Sequence, residues 1–477
     1  MQKISKKEEL VYKPKNVWLV KKKKDMKAFA EDYRNFVDVA KTERLTADEA
    51  EKLARDNGFV KFEEFMKKKK KKKKGADPVR DLKIYVKNRN KSMALFRFKN
   101  DIRKGMNLVG AHLDSPRIDL KPRPFIEDSE VALAKTHYYG GIKKYQWLNI
   151  PLALHGVIIK GNGDKLRISI GEKADEPTFV ISDLLPHLDK DSRDKPISKV
   201  YDGEKLNVII GTIPAKVVPK NVKEKVKYQI LRILNNKYGI IEEDLVSAEL
   251  ELVPAFKPRY VGFDNSLIGA YGHDDRVCAY TAVRGLIDAT DISRTSAAIL
   301  FDKEEIGSEG NTGAKAHFWF SAIRRILRNI GYTDVEGIMD EAIANSLVLS
   351  ADVNVALNPT FKEAHELNNA AKVGYGIVLT KYTGSYGKAL ANDAHAEIVG
   401  KLRALWNEEG VIWQPGELGK VDQGGGGTVA KYFAQLGTDV IDCGPGIIGM
   451  HSPFELLSVG DLYETYLAYR TFFSKFV

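Results

Sequence analysis

The 477-residue sequence lacks the features that mark secreted, fibrous or membrane-embedded proteins. It has only two cysteines, Cys278 and Cys443, which excludes a disulfide framework and is typical of a reducing compartment. No apolar run approaches the roughly 18 residues of a transmembrane helix, and the opening residues MQKISKKEEL lack the apolar stretch of a secretory signal. We therefore expect a cytoplasmic protein of two or three domains with no membrane partner.

Most of the chain also lacks net charge. Residues 1–75 contain 24 Lys and Arg and 13 Asp and Glu, which accounts for the whole formal charge of +11, and the remaining residues contain 51 of each sign. The excess includes the unbroken run Lys67 to Lys74. Such a run is typical of a solvated, flexible segment, and binding to RNA, acidic lipid or an acidic protein is the alternative. We expect no nucleic-acid partner.

Hydrophobic patterning predicts that residues 1–75 form a helical segment. Apolar residues recur at helical spacing from Met26 to Ala40, and the sequence Thr46-Ala-Asp-Glu49 matches a capping box at the start of a second helix. We expect the two helices to form a hairpin that packs on the rest of the protein.

The remaining sequence predicts an α/β fold with an insertion. Strand-like and helix-like patterns alternate through residues 76–120 and 246–477, which is typical of a mixed sheet covered by helices. Residues 121–245 instead contain β-branched runs separated by turn residues, with one helical stretch near 222–236. We therefore expect one α/β domain that is interrupted by a mainly β domain.

Acidic residues and histidines follow apolar, strand-like runs in five short segments. These segments contain His112 and Asp114, Asp274 and Asp275, Glu304 and Glu305, Asp352, and His451 and Glu455. In open α/β sheets, polar residues that follow the carboxyl ends of strands meet in one crevice. So many carboxylates in one crevice need cations to neutralise them, and mixed histidine and carboxylate ligands suit zinc, manganese or cobalt. The pattern therefore predicts a metal site.

Each residue also has a simpler interpretation when it is taken alone. His112 could be an ordinary core histidine, His451 a surface histidine, and Asp275 the cap of the helix that follows it. In His112-Leu-Asp114, however, both side chains project from the same side of an extended strand, so the aspartate can orient the imidazole. The five segments together favour a metal site over separate structural roles.

In their order and approximate spacing, the five segments resemble the signature of the M18 metallopeptidases, the family of aspartyl aminopeptidase and aminopeptidase I. The resemblance extends from about Leu82 to the end of the sequence and, more loosely, over the N-terminal helices. It implies a metal-dependent aminopeptidase with two divalent ions per chain, zinc first and manganese or cobalt as alternatives. It also implies peptide substrates with a free N-terminus. The β-rich insert would be a dimerisation domain, and the dimers would assemble into a tetrahedral dodecamer.

The resemblance implies a role for each motif residue. Asp274 would bridge the two ions, His112 and Asp352 would complete the first ligand set, and Glu305 and His451 would complete the second.

Two further carboxylates are candidates for catalytic roles, and four other residues for substrate binding. Glu304 would be the general base, and Asp114 would be the second catalytic residue because it orients His112. The residues that the resemblance assigns to substrate binding are His187, Lys381, Gly425 and Gly426. His187, in the insert, would reach the active site of a neighbouring subunit, and the two glycines belong to a glycine-rich loop.

The sequence departs from the family pattern at two places. The bridging aspartate is usually followed by asparagine, and here it is followed by Asp275. Aspartyl aminopeptidases usually carry two histidines shortly after the fourth segment, and here Val355 and Asn358 occupy those positions. A preference for N-terminal Asp or Glu therefore does not follow, and a neutral or apolar preference is an equal alternative.

Three functions are compatible with these observations. The first is the aminopeptidase, and the second is a metal-dependent deacylase or carboxypeptidase on the same scaffold, which would not need a free amine on its substrate. The third is a non-catalytic protein that holds nucleic acid or an acidic partner through residues 1–75. Retention of every ligand position argues against an inactive enzyme, and a scaffold shared with other activities does not decide the substrate.

Overall fold

The computed structural model describes residues 10–67, 82–99 and 101–477. Apart from Lys67, the run Lys67 to Lys74 lies outside the described residues. Within them, the helices in chain order are α1 (Val17–Val20), α2 (Lys23–Val39), α3 (Glu43–Asp56), α4 (Phe62–Lys67), α5 (Ile197–Val200), α6 (Lys225–Tyr238), α7 (His273–Asp288), α8 (Phe318–Ile330), α9 (Val335–Ala344), α10 (Ala396–Glu408), α11 (Ala430–Ala434) and α12 (Val459–Lys475). The strands are β1 (Val60–Lys61), β2 (Leu82–Asn88), β3 (Ser92–Phe98), β4 (Met106–His112), β5 (Arg117–Asp128), β6 (Val131–Tyr139), β7 (Leu152–Ile159), β8 (Lys165–Ile170), β9 (Val180–Ile181), β10 (Val208–Gly211), β11 (Glu249–Pro254), β12 (Arg259–Val261), β13 (Leu267–Ala270), β14 (Thr295–Phe301), β15 (Leu347–Ser350), β16 (Asn354–Val355), β17 (Ile377–Thr380), β18 (Trp413–Pro415), β19 (Asp439–Ile448) and β20 (Glu455–Ser458).

A mixed sheet of thirteen described strands forms the centre of the protein. Its continuous order is β1-β2-β3-β14-β4-β15-β19-β20-β13-β12; β16 and β17 also pair with β19, and β18 pairs with β17. Strands β14, β4, β15 and β19 run parallel to one another. Because β20 is antiparallel to both β19 and β13, β13 points the same way as these four strands. The carboxyl ends of all five strands therefore lie along one edge of the sheet.

Helices cover both faces of this sheet, and β4 shows why. All seven residues of β4 are buried. Val109 and Ala111 belong to the apolar core on one face, with residues of α2, α3, α7, α10 and α12. Met106 and Leu108 belong to the core on the other face, with residues of α4, α8, α9 and α11. A nearly continuous apolar strand is typical of a sheet that is covered on both faces, and the predicted helix-covered mixed sheet is confirmed.

A second sheet is formed by seven strands that lie between Arg117 and Pro254. Its order is β8-β7-β11-β5-β6-β10-β9, and every neighbouring pair is antiparallel. Strands β5 and β11, through which the chain enters and leaves, pair directly, with Ile118 opposite Leu252. The chain therefore enters and leaves the second sheet through adjacent strands, and the sheet extends beyond residues 121 and 245. Its own apolar core includes Trp147, and Ile230 of α6 packs against this core.

The N-terminal helices pack on the central sheet through an apolar stripe. Met26, Phe29 and Tyr33 of α2 are buried in the same core as residues of α7 and α12. The ring of Phe29 stacks on that of Tyr466 in α12, with 4.3 Å between the ring centroids. The helical hairpin is thus part of the main core.

The start of the second N-terminal helix differs from the sequence prediction. Helix α3 begins at Glu43, and the hydroxyl of Thr42 accepts the backbone N–H of Leu45 as its N-cap. Thr46 lies one turn inside the helix, where its hydroxyl is buried and donates to the carbonyl of Thr42. The predicted capping box at Thr46 is therefore wrong, because an earlier threonine already caps the helix.

The structure bears on two features that are rare in the sequence, cysteine and long apolar runs. Cys278 and Cys443 are both buried, and neither forms a disulfide. Across the described ranges, no helix combines the length and the apolar character needed to cross a membrane.

Candidate metal centre

The five segments that contain acidic residues and histidines meet at the carboxyl edge of the central sheet. His112 is the last residue of β4 and lies beside Phe301, the last residue of β14, in the parallel pairing. The other residues follow neighbouring strands: Asp274 after β13, Glu304 and Glu305 after β14, Asp352 after β15, and His451 after β19. The convergence is a direct result of the shared direction of these strands.

Asp274 lies between two histidines. Its Oδ1 is 3.2 Å from Nε2 of His112, and its Oδ2 is 3.1 Å from Nε2 of His451. Asp352 Oδ1 is 3.7 Å from Nε2 of His112, and Glu305 Oε1 is 3.4 Å from Nε2 of His451. These residues form two groups of three that share Asp274, and the ligand atoms of each group lie within 4.8 Å of one another.

The donor set and its electrostatics fit a divalent cation in each group. Each group offers one imidazole nitrogen and two carboxylates, which is a ligand set that suits zinc, manganese or cobalt. Burial raises the pKa of Glu305 and of Asp352, and the nearby charge of Asp274 raises both further. Burial alone would lower the pKa of His112, but its carboxylate neighbours hold it well above its usual value. The cluster thus has an excess of negative charge that a cation would neutralise.

Asp114 connects the first histidine to the segment after β14. Its carboxylate oxygens accept the backbone N–H groups of Glu304 at 3.1 Å and Glu305 at 3.2 Å. Its carbonyl oxygen is 3.0 Å from Nδ1 of His112, and the hydroxyl of Tyr139 donates to its Oδ2 at 2.8 Å. Burial alone would raise the pKa of Asp114, but the bonds with His112 and Tyr139 hold it below its usual value. Asp114 therefore anchors the backbone of Glu304 and Glu305 through its carboxylate and contacts His112 through its carbonyl oxygen.

Glu304 is half-buried in the short turn after β14, beside Glu305. Burial raises the pKa of Glu304 to about 8. The charge of Asp352 also raises this pKa, whereas the nearby His112 lowers it. A carboxyl group whose pKa lies near neutrality is suited to exchange a proton in the working range of most enzymes.

Two carboxylates hold the ligand segments by their backbone. Glu455 is buried, and its two oxygens accept the N–H groups of Asp274 at 3.1 Å and of His451 at 2.7 Å. Asp275 accepts the backbone N–H of His112 at 3.3 Å, and it makes no capping bond to the helix that follows. The sequence reasoning gave Glu455 no role, although its position four residues after His451 was a signal that could have identified it.

His187 and Lys381, which were predicted to bind substrate, lie outside this cluster. His187 is exposed in a turn that follows β9, next to the second sheet. Lys381 follows β17, and its Nζ forms an ion pair with Asp393 at 2.6 Å. Neither residue contacts the groups around Asp274 within the part of the chain that the structure describes.

The glycine-rich loop packs closely against a neighbouring loop. The carbonyl of Gly426 accepts the N–H of Gly384 at 2.8 Å. Gly425 has a φ of +128°, and a Cβ atom there would lie only 1.9 Å from the carbonyl oxygen of Gly384. Glycine is required at residue 425 by both its conformation and this close approach.

Comparison with known proteins identifies the family. A family model described as aminopeptidase I zinc metalloprotease (M18) matches residues 36–473. A probable M18 family aminopeptidase 1 from Thermotoga maritima is 54% identical over 461 residues, which cover 97% of this chain and 99% of that protein.

Solved structures give the same result. The crystal structure of an M18 family aminopeptidase from Thermotoga maritima superimposes with a TM-score of 0.92 at 53% identity, and the match covers 98% of this chain and 100% of that one. The structure of the S. cerevisiae mApe1 dodecamer shares the fold, with a TM-score of 0.73 at 20% identity and coverage of 93% and 96%. The chain therefore belongs to the M18 family of metallopeptidases, and it is a metal-dependent aminopeptidase.

Proposed function

We propose that the enzyme removes the N-terminal residue of peptides with the help of two divalent ions that share Asp274. His112 and Asp352 would hold one ion, and Glu305 and His451 would hold the other. The observation that supports this proposal is that each oxygen of Asp274 faces a different histidine, at 3.2 Å and 3.1 Å. Zinc is the ion named in the family description, and manganese and cobalt accept the same ligands.

Divalent ions in such a pair lower the pKa of a water molecule and polarise the scissile carbonyl. Glu304 is the proposed general base: its carboxylate accepts a proton from the attacking water and returns it to the leaving amine. Asp114 holds the backbone of Glu304 and Glu305, so the base and the neighbouring ligand keep a fixed relative position. The contact of His112 Nδ1 with the carbonyl of Asp114 turns Nε2 towards Asp274.

The free α-amino group of the substrate would bind beside the carboxylates, which explains a requirement for an unblocked N-terminus. The loop of Gly425 and Gly426 and the nearby Lys381 would contact the first residue of the peptide. The ion pair with Asp393 already compensates the charge of Lys381. This pairing favours a neutral or apolar N-terminal residue over an acidic one.

The second sheet would be the dimerisation domain, with dimers assembling into a dodecamer like that of yeast mApe1. Leu184, Leu185 and Leu188 surround His187, and each is at least half exposed. Apolar side chains clustered at a surface are typical of an interface that a partner covers. His187 would then reach the active site of the neighbouring subunit. The two free, buried cysteines are in keeping with a cytoplasmic location.

The proposal is tested by hydrolysis of aminoacyl p-nitroanilides and dipeptides that begin with Asp, Glu, Leu, Ala or Lys, with N-acetylated versions as controls. The enzyme is first stripped with a chelator and then reloaded with zinc, manganese or cobalt, and the bound ions are counted. We expect two ions per chain and cleavage of the unblocked substrates only. Cleavage of the acetylated substrates would instead indicate a deacylase or amidase. If the protein bound ions but cleaved none of the substrates, the result would favour a non-catalytic binding protein.

A further inference from the structure

The N-terminal helix α2 contacts the residue that precedes Asp274. The hydroxyl of Tyr33 lies 2.8 Å from Nδ1 of His273, and the two rings stack with their centroids 5.6 Å apart. Nε2 of His273 lies 3.0 Å from the carbonyl of Ile268 in β13. Because a carbonyl can only accept, Nε2 of the neutral ring donates to it and Tyr33 donates to Nδ1. Both ring nitrogens of His273 are thereby used to fix this backbone segment.

Helix α3 and the loop before it contact Arg276, which follows Asp274 by two residues. The guanidinium of Arg276 is buried; its Nε donates to the hydroxyl of Thr46 at 3.2 Å, and its Nη2 donates to the carbonyl of Lys41 at 2.9 Å. It also lies 5.0 Å from the ring centroid of Tyr271. A Cβ atom at Gly272 would be only 1.6 Å from Nη1 of Arg276, so the guanidinium packs directly against the backbone there.

These contacts hold the backbone on both sides of Asp274. We propose that Tyr33 and Thr46 are positioning residues for the carboxylate of Asp274, acting through His273 and Arg276. The N-terminal helices are then part of the support of the metal centre as well as of the core. The inference rests on the proposed function, because it takes Asp274 as the shared ligand. Residues behind a metal ligand typically change metal affinity by about 10- to 100-fold when they are altered.

Two conservative substitutions test the proposal, and the chain offers a matched control for each. Tyr33→Phe removes the hydroxyl that reaches His273. Its control is Tyr280→Phe in the same aromatic cluster, 5.4 Å from Tyr33 between ring centroids, whose hydroxyl accepts from Arg284.

The second substitution is Thr46→Val, which removes the hydroxyl that accepts from Arg276. Its control is Thr281→Val. Thr281 is also buried within a helix, but its hydroxyl donates only to the backbone of that helix, at the carbonyls of Val277 and Cys278.

Zinc affinity is measured in the full-length protein by competition with a chromophoric chelator, and the visible spectrum is recorded after loading with cobalt. We expect Tyr33→Phe and Thr46→Val to weaken zinc binding about tenfold or more and to alter the cobalt spectrum, while both controls keep the wild-type values. The melting temperature of the metal-free variants shows how much each hydroxyl contributes to the fold.

The proposal would be overturned if the two test variants had the same zinc affinities and cobalt spectra as their controls. A loss of affinity that merely follows the loss of melting temperature in all four variants would also overturn it. The number of ions bound by the wild type is a separate result that tests the two-ion proposal. The zinc affinities of each variant and its control can be compared in the same way whether the wild type binds one ion or two.

Discussion

The carboxylate of Glu455 accepts the backbone N–H of Asp274, with 3.1 Å between Oε2 and the nitrogen. Its other oxygen accepts the N–H of His451 at 2.7 Å. One buried side chain therefore sets the distance between two residues of the same proposed ligand group. The two bonds fix the backbone of Asp274 relative to that of His451, although Glu455 itself need not touch an ion.

Glu455→Gln is expected to weaken metal binding by about 10-fold to 100-fold and to lower kcat. The amide keeps the size of the side chain but has one acceptor oxygen, so one of the two buried N–H groups loses its partner. Metal content after dialysis and kcat are the measurements. Glu366→Gln is the control, because Glu366 also accepts two backbone N–H groups but lies at a surface turn. Equal effects in the two variants would show that Glu455 does not support the centre.

Glu304→Gln is expected to lower kcat by about 100-fold or more while the metal content stays at the wild-type level. The amide cannot accept the proton of the attacking water, but the backbone bond from Glu304 to Asp114 is unaffected. Metal analysis and steady-state kinetics on the same sample provide both values. Activity within a few-fold of the wild type would remove Glu304 from the role of general base.

Asp274→Ala is expected to abolish binding of both ions, because each oxygen of Asp274 serves a different group. His451→Ala should weaken only the group that contains Glu305. Both stoichiometries are measured by metal analysis after gel filtration. If Asp274→Ala retained one tightly bound ion, Asp274 would not be a shared ligand.

A pH-dependent effect is expected at Asp461, in the first turn of α12. Its carboxylate accepts the N–H groups of Gly374 and Gly376, each at 2.7 Å, and burial raises its pKa to about 7. The unfolded chain would release this proton near pH 3.9. The folded state thus binds the extra proton between about pH 4 and pH 7, and the contribution to stability falls as the pH rises through this interval.

Asp461→Asn removes this titration. The free energy of unfolding of the variant should therefore improve relative to the wild type as the pH is raised from 5 to 7. Denaturant unfolding of the two metal-free proteins at several pH values measures the difference. A difference that stays constant with pH would contradict the raised pKa.

The regular elements of the α/β domain could be predicted because their patterns are strong. The apolar run at residues 106–113 corresponds to β4, and the amphipathic pattern at 459–475 corresponds to α12. The sequence Gly444-Pro445-Gly446, which lies inside β19, has the composition of a turn. In the structure these residues are buried and pair with β17 and β16. Tertiary pairing overrides the local preference.

The candidate ligands could be identified for a similar reason, since each follows an apolar strand directly. The supporting residues Tyr139 and Tyr33 could not be identified in this way. Tyr139 lies in β6 of the second sheet, and Tyr33 lies in an N-terminal helix whose apolar stripe predicts only packing. No local pattern distinguishes a tyrosine that supports a metal ligand from one that fills a core. Thr46 was interpreted as a helix cap, and its contact with Arg276 depends entirely on how two distant helices meet.

The order of the ligands along the chain has a consequence for synthesis on the ribosome. When β4, β14 and β15 have emerged, His112, Glu304 and Asp352 are available, but His451 and Glu455 are not. A nascent chain at that stage lacks one ligand and the residue that spaces it from Asp274. The proposed metal centre is therefore complete only after β19 and the residues that follow it have been synthesised.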